Sequence, residues 1–346
     1  MTKWRFFTQL SLCFLLLGCT GETLQGTLED YSTRLQRVLE QNAVSTQHQS
    51  ESRFSSKYSV NFPAKRDLTL TVPITDIDLM EFLQLGDCQL QGVVAEKNSS
   101  LGRLAEASIV LRQDVEFILL AEQCLSVMER PELIATIQAA TEQKKRNLRV
   151  RLWNAVIASQ EYRAFWTAGK MEYPYVAESS LQGSLSVLHT QVKLLLSQEF
   201  ESFDANQFEE ALRTLRSGEA AALSQSWLIV SRVLEQATEV LKARAARRPL
   251  CYQGMRNQQA EYFRNVVLNQ FVGSVQKDLA VLNQRYYDVV VPVQAMELLF
   301  ADVETEAYRQ YRLARDRAFI HGIDTVKNHV DAIQPLMIQC GFLPDV

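Results

Sequence analysis

Apolar positions recur along most of this chain at intervals of three and four residues, the period of a helix that buries one face. Leu181, Leu185, Leu188, Val192 and Leu195 form one stripe, and Leu223, Trp227, Val230, Leu234, Ala237 and Leu241 form another. Val275, Leu279, Leu282 and Tyr286 continue the pattern, as do Met296, Leu299, Val303, Ala307, Tyr311, Ala314 and Ala318. After Arg130, proline occurs only at positions 131, 174, 249, 292, 335 and 344, so each long interval is free of the residue that most disrupts a helix. Pro131 stands where a first helical turn tolerates it. Several of these prolines are 43 residues apart, but the intervals share no side-chain pattern, so the spacing reflects helix lengths and not a repeat. Asp204 as N-cap and Gly218 as terminator predict a bend that folds the Leu181 and Leu223 helices back on each other. The expectation is an all-α fold, a bundle of long antiparallel helices.

The first third of the chain is patterned differently. A short amphipathic helix is predicted from Leu28 to Glu40, with Leu28, Tyr31, Leu35, Val38 and Leu39 on one face, and it either docks on the body or lies near a lipid surface. Residues 41–57 are mostly Ser, Gln, Asn and charged types, which bury too little to be ordered alone and read as a flexible linker. Leu68 to Val72 alternates as one short extended segment that ends at Pro73. Thr75 with Asp78, then Ile77, Met80, Leu83, Leu85 and Gly86, mark a brief helix. Cys88 to Glu96 predicts another, and Ser108 caps one that reaches Leu125.

At the N-terminus the apolar stretch Phe6 to Leu17 follows Lys3 and Arg5 and ends in Leu16-Leu17-Gly18-Cys19. At about 12 residues it makes a helix of roughly 18 Å, too short for a hydrocarbon core of about 30 Å. This is the pattern of a bacterial lipoprotein signal, in which the mature chain begins at an acylated Cys19, and acyl chains give about 0.8 kcal/mol per buried methylene. Thr20 follows where an aspartate would resemble an inner-membrane retention signal, so the expected location is the periplasmic face of the outer membrane. The organisation read from sequence is therefore a signal peptide over 1–18, a lipidated tether over 19–27, and a short helix with linker over 28–66. A helical domain follows over 67–346, with a short-helix subregion to 130 and the long-helix bundle from 131.

With 346 residues and 47% hydrophobic content, the chain has material for one large or two modest cores. Of 36 Lys and Arg, Lys3 and Arg5 leave with the signal, so 34 face 40 Asp and Glu and the mature net charge is about −6. A mildly acidic body excludes nucleic acid, which needs a concentrated cationic face. Cys13 departs with the signal and Cys19 takes lipid, leaving Cys88, Cys124, Cys251 and Cys340. In an oxidising periplasm these form two disulfides with three possible connectivities, of which Cys88 with Cys124 and Cys251 with Cys340 keeps each pair within one region of the chain. The first pair would staple the smaller helical segment that precedes the bundle.

Candidate chemistry is sparse. His48, His189, His321 and His329 lack metal-ligand spacing, and His321 and His329 are separated by Gly322, read as a helix break. No cysteine pair has metal-ligand spacing either, so no metal and no cofactor is expected. Phosphate-cradling loops and the strained serine turn are missing. Glu209 and Glu210 lie beside arginines and read as solvated ion pairs. Two basic clusters, Lys144, Lys145, Arg146, Arg149 and Arg151, then Lys242, Arg244, Arg247 and Arg248, read as wet faces or helix ends, with anionic lipid or cell-wall polymer as the alternative. Trp153, Phe165, Trp166 and Trp227 read as core. The segment Glu96-Lys97-Asn98-Ser99-Ser100-Leu101-Gly102-Arg103 packs a carboxylate, two cations, an amide and two hydroxyls into eight residues. Glu96, Asn98, Ser99 and Arg103 are thus candidate ligand contacts, or else a capped turn with Gly102 at positive φ.

The signal, the Cys88 region with that octet, Trp153-Asn154 and Tyr162-Arg163-Ala164-Phe165-Trp166 together resemble an uncharacterised lipoprotein family of gamma-proteobacteria, domain of unknown function 3080. The likeness runs from about Leu28 to Cys340. It implies location and a single helical domain, and brings no catalytic residue. The expected function is a nonenzymatic envelope protein that binds or scaffolds an envelope protein or cell-wall component. The alternatives are an enzyme or small-ligand receptor built around the octet, and a purely architectural spacer.

Overall fold

The computed structural model describes residues 23–39, 60–73, 88–168 and 179–344. The signal over 1–18, Cys19, His48, the linker over 41–57 and the Thr75–Gly86 helix lie outside the described residues. Eleven helices account for most of the rest: α1 (Leu24–Val38), α2 (Lys65–Leu68), α3 (Leu90–Asn98), α4 (Ala107–Leu125), α5 (Pro131–Val156) and α6 (Gln160–Thr167) come first. Then follow α7 (Ser179–Leu196), α8 (Ala205–Thr214), α9 (Glu219–Ala245), α10 (258–298) and α11 (Glu306–Gln339). Among the described residues no strand forms; one isolated bridge joins Tyr252 and Met255.

The longest helices make the bundle. In α9 an acid, Glu219, stands in the first turn and Lys242 and Arg244 in the last, matching the helix dipole, and its whole predicted stripe is buried. α10 runs back along it and α11 returns. Arg285 of α10 pairs with Glu219, and Gln339 of α11 accepts from the backbone of Leu250 just past α9 at 2.7 Å. Gly322 of α11 meets Trp227 and Ser231 of α9; a β-carbon there would fall 2.9 Å from the Trp227 ring. Gly322 is therefore a site of close helix approach inside a continuous helix, and the break expected there does not occur.

Prolines were also expected to separate helices, and two do not. Pro335 lies inside α11 on an exposed face, so the carbonyl it leaves unpaired is on the wet side. Pro292 lies inside α10 directly after a π-helical turn, Tyr286–Val290, where the hydrogen-bond register already shifts; a longer π segment spans Val266–Val275. The stripe expected from Met296 to Ala318 is interrupted at the turn after Leu298, and the face α11 buries is Tyr308, Tyr311, Arg315, Phe319, Gly322, Thr325, His329 and Ile333. Arg315, Thr325 and His329 are polar, so a scan for apolar residues slides onto the half-buried alanines beside them.

α1 docks on the body. Leu24, Leu28, Tyr31 and Leu35 are all at most 2% exposed, and Thr23 caps the helix by accepting from the backbone N–H of Gly26 at 3.1 Å. Tyr31 packs on Phe271 of α10 and bonds to His329 of α11 at 2.8 Å, whose other ring nitrogen meets Thr238 of α9 at 2.9 Å. The Thr238 hydroxyl spends its proton on the Leu234 carbonyl at 2.6 Å, so it accepts from Nδ1–H of His329, and Tyr31 donates to Nε2. This fixes a neutral imidazole that ties three helices, and burial pushes its pKa down to about 4.

α7 and α8 form an antiparallel hairpin. Asp204 caps α8 by accepting from Asn206 and Gln207 at 2.9 and 3.0 Å, and Gly218 turns the chain at φ 71°. The bend expected between the two leucine stripes thus contains a helix of its own, and α7 folds back on α8 and not on α9. Leu68 of the segment expected to be extended closes α2, and only the residues from Thr69 on leave the helix; Asn154 brackets Leu70 as a neighbouring strand would: its amide accepts from the Leu70 N–H at 2.9 Å and donates to the Leu70 carbonyl at 2.8 Å. Trp153 donates to the Leu68 carbonyl at 2.7 Å.

A second, smaller core forms where α3, α4 and the first half of α5 meet, from Leu90, Val93, Val94, Phe117, Ala121, Leu133, Ile137 and Ala140. Cys88 lies against Cys124 at disulfide distance, with Cα atoms 5.8 Å apart, and Cys251 against Cys340 at 5.1 Å. These are the pairs that sequence position favoured. The first fastens the start of α3 to the end of α4, and the second fastens the loop after α9 to the end of α11.

Candidate functional site

The polar octet ends α3, and its members divide between two tasks. The Ser99 hydroxyl donates to the Glu96 carbonyl at 2.7 Å and accepts from the Gly102 N–H at 3.0 Å. The Arg103 guanidinium donates twice to the Asn98 carbonyl, at 3.1 Å each. Gly102 is required by proximity, since a β-carbon would fall 2.1 Å from the Glu96 carbonyl oxygen; its φ is not among the positive values, contrary to expectation. Ser99 and Arg103 are therefore spent on the turn. Glu96 accepts from Gln113 Nε2 at 3.0 Å and faces Arg112 at 3.6 Å, while Lys97 and Asn98 line a cleft.

That cleft opens between α3, α4 and α5, with Val93, Val94, Phe117 and Ala140 as apolar walls and Lys97, Asn98, Gln113 and Lys144 as polar ones. Its interior is about 20 Å³, room for little more than one water-sized group. Asp114 stands behind it, 2% exposed, and holds three cations: Lys144 at 2.5 Å, Lys97 at 2.9 Å and Arg151 at 3.0 Å. Burial would raise the Asp114 carboxyl, but Lys144, Lys97 and Arg151 more than offset it and hold it below the usual carboxylate range. Burial pushes Lys144 down to about 8, against the pull of Asp114 and with the repulsion of Lys97. Lys144 also lies 4.8 Å over the Phe117 ring. Gln113 is 1% exposed, and its Oε1 accepts no hydrogen bond within the protein.

The sequence pattern puts Lys144 and Arg151 on a solvated face and does not single out Gln113 or Asp114. The structure corrects this, because Lys144 is buried and both cations are turned onto Asp114. The available signal was phase: Asp114 lies three residues after Leu111 and four before Ile118 on the apolar face of α4, and Lys144 falls between Ile137 and Leu148 on that of α5. The second basic cluster is a helix end as read, with Arg244 donating to the Arg248 carbonyl at 2.5 Å. Glu210 pairs with Arg213 at 3.3 Å, whereas Glu209 Oε1 is buried without a partner.

A further charged cluster lies in the main core without access to solvent. Arg315 donates to both oxygens of Glu297, at 2.7 and 2.8 Å. The Tyr162 and Tyr308 hydroxyls converge on Glu297 Oε1, Tyr308 at 2.5 Å. Trp166 covers the Arg315 guanidinium at 4.4 Å. Burial and the Glu297 charge drive both tyrosines well above their ordinary pKa, so they remain donors, and Arg315 holds Glu297 ionised against its burial. Its charges are mutually compensated, so this is a structural lock.

Among the described residues no three His, Cys, Asp or Glu side chains gather as a metal site, and no helix is long and apolar enough to cross a membrane. Neither the curated proteins nor the solved structures compared with this chain include a match. A family does match, described as Protein of unknown function (DUF3080), over residues 28–344. The matched span takes in α1 from Leu28 on, the cleft, the Glu297 lock and both cysteine pairs, and the chain belongs to the DUF3080 family of proteins of unknown function.

Proposed function

We propose that this chain is a lipid-anchored envelope lipoprotein on the periplasmic side of the outer membrane, which binds another envelope component, a protein or a cell-wall component, through the cleft of the small lobe and performs no chemistry on it. The observation that carries this reading is the charge of the cleft: three cations surround one carboxylate beside an unpaired buried acceptor. Its lining of cations, amides and apolar side chains suits binding. The alternative site built on Glu96, Asn98, Ser99 and Arg103 is narrowed, since Ser99 and Arg103 hold the turn.

The anchor rests on Cys19 closing a short apolar stretch. Thr23 caps α1, and four chain steps from Cys19 reach at most about 14 Å whatever their conformation. Acylation would therefore hold the α1 end of the body close to the bilayer. Two measurements test the reading. Labelling with a palmitate analogue should mark the wild type and not Cys19→Ala, which should leave the membrane fraction. A photocrosslinker at Asn98 should capture an envelope component in cells, while one at exposed Lys242 should not; equal yields at both positions, or label on Cys19→Ala, would contradict it.

A further inference from the structure

We propose that the cleft recognises the carboxyl terminus of a peptide, with the carboxylate on Lys97 and Lys144 and the peptide's last amide N–H on Gln113 Oε1. This rests on reading the cleft as the binding site and names what it takes. Three features of the cleft converge on that chemistry.

The first is charge. Lys97, Lys144 and Arg151 bring three positive charges to Asp114, which supplies one negative charge. Glu96, which meets the cleft through Gln113, is exposed and engaged by Arg112 and Gln113. Lys144 is 6% exposed, so water screens its excess charge poorly. An incoming anion is thus drawn to the cleft and a cation repelled. The depressed pKa of Lys144 agrees, since an anion beside it would relieve the strain on its charged form.

The second is the acceptor. Gln113 Nε2 is committed to Glu96 at 3.0 Å, which fixes the amide's orientation and leaves Oε1, on a residue that lines the cleft, without a donor. A buried carbonyl without a partner carries the full cost of its lost hydration. A water would satisfy it and leave the charge unbalanced; a bare anion would do the reverse. A ligand that satisfies both carries an N–H close to its acidic group, as the last residue of a peptide does.

The third is size. An interior of about 20 Å³ admits no more than the carboxylate itself, so the rest of the peptide must lie outside it, on the side where Asn98 is exposed. Two carboxylate oxygens suit this better than the four of a phosphate.

The test uses the full chain in detergent, with the methyl resonances of Val93 and Val94 as reporters and four probes: N-acetyl-alanyl-alanine, its C-terminal amide, acetate and inorganic phosphate. The dipeptide acid should shift these methyls saturably, and its amide should bind about tenfold more weakly or worse, since it forfeits the charge-assisted bonds. Gln113→Leu should reduce the dipeptide acid to the affinity of acetate, and Lys97→Met should weaken dipeptide acid and acetate alike. Equal affinity for acid and amide, phosphate competing as well as the dipeptide acid, or no effect of Gln113→Leu would overturn the proposal. Capture from Asn98 in cells without dipeptide binding would sink this ligand and leave the binding function standing; the converse would sink the function alone. A muramidase-sensitive adduct at Asn98 would identify a cell-wall peptide, and a resistant one a protein terminus.

Discussion

Arg315 and His329 lie on the buried face of one helix and stabilise the fold in opposite charge states. Arg315 is ionised and fully compensated: Glu297 faces it with both oxygens and two tyrosines donate to the same carboxylate. Removing one partner of such a pair leaves a buried charge uncompensated, so Arg315→Met is expected to cost about 3–5 kcal/mol in urea unfolding, and adding Glu297→Leu should restore much of it. His329 is neutral. Its folded pKa of about 4 lies below the ordinary 6.5, so the unfolded chain binds the extra proton first as pH falls. The stability it contributes is therefore complete above about pH 6.5 and is lost down to about pH 4, about 3 kcal/mol in all. Unfolding free energies of the wild type and His329→Gln should converge as pH is lowered through that window; parallel curves would show that the imidazole is not held neutral. Neither residue was legible as core in the sequence, because a periodicity scan credits apolar side chains only, and here the polar ones occupy the buried positions.

Local signals were read well at the scale of elements where local physics decides. Asp204 caps α8 and Gly218 turns the chain, because a cap and a left-handed glycine need only their immediate neighbours. The same local rules make Gly322, Pro292 and Pro335 breaks, yet all three lie in continuous helices: Gly322 admits Trp227, Pro292 follows a π-turn and Pro335 leaves its unpaired carbonyl on the wet side. The cleft was half legible. The octet marked its rim, but Asp114 and Lys144 lie 30 residues apart on consecutive helices and meet only when α4 and α5 pair as a hairpin. The small lobe that holds the cleft depends on the Cys88–Cys124 closure, whose sequence separation of 36 corresponds to about 4 kcal/mol in the loop-entropy model. In the double variant Cys88→Ser/Cys124→Ser, amides of α3 should lose hydrogen-exchange protection while those of α9 and α11 keep theirs. Equal loss in α9 would mean that the two cores are one cooperative unit.

Over the whole molecule, the decisive arrangement is that the first described helix belongs to the core. Composition separates α1 from the body by a polar stretch, which suggests a leash; the buried contacts of Leu28, Tyr31 and Leu35 and the Tyr31–His329–Thr238 chain make it a strut of the bundle. An anchor at Cys19 would then grip the domain almost directly, and the cleft would be carried on a body held near the bilayer. Native-state hydrogen exchange of the full chain tests this arrangement most directly. The amides of Leu28, Tyr31 and Leu35 should exchange only through global opening, as slowly as those of Val230 and Leu234 in α9; exchange orders of magnitude faster in α1, with α9 still protected, would contradict the account.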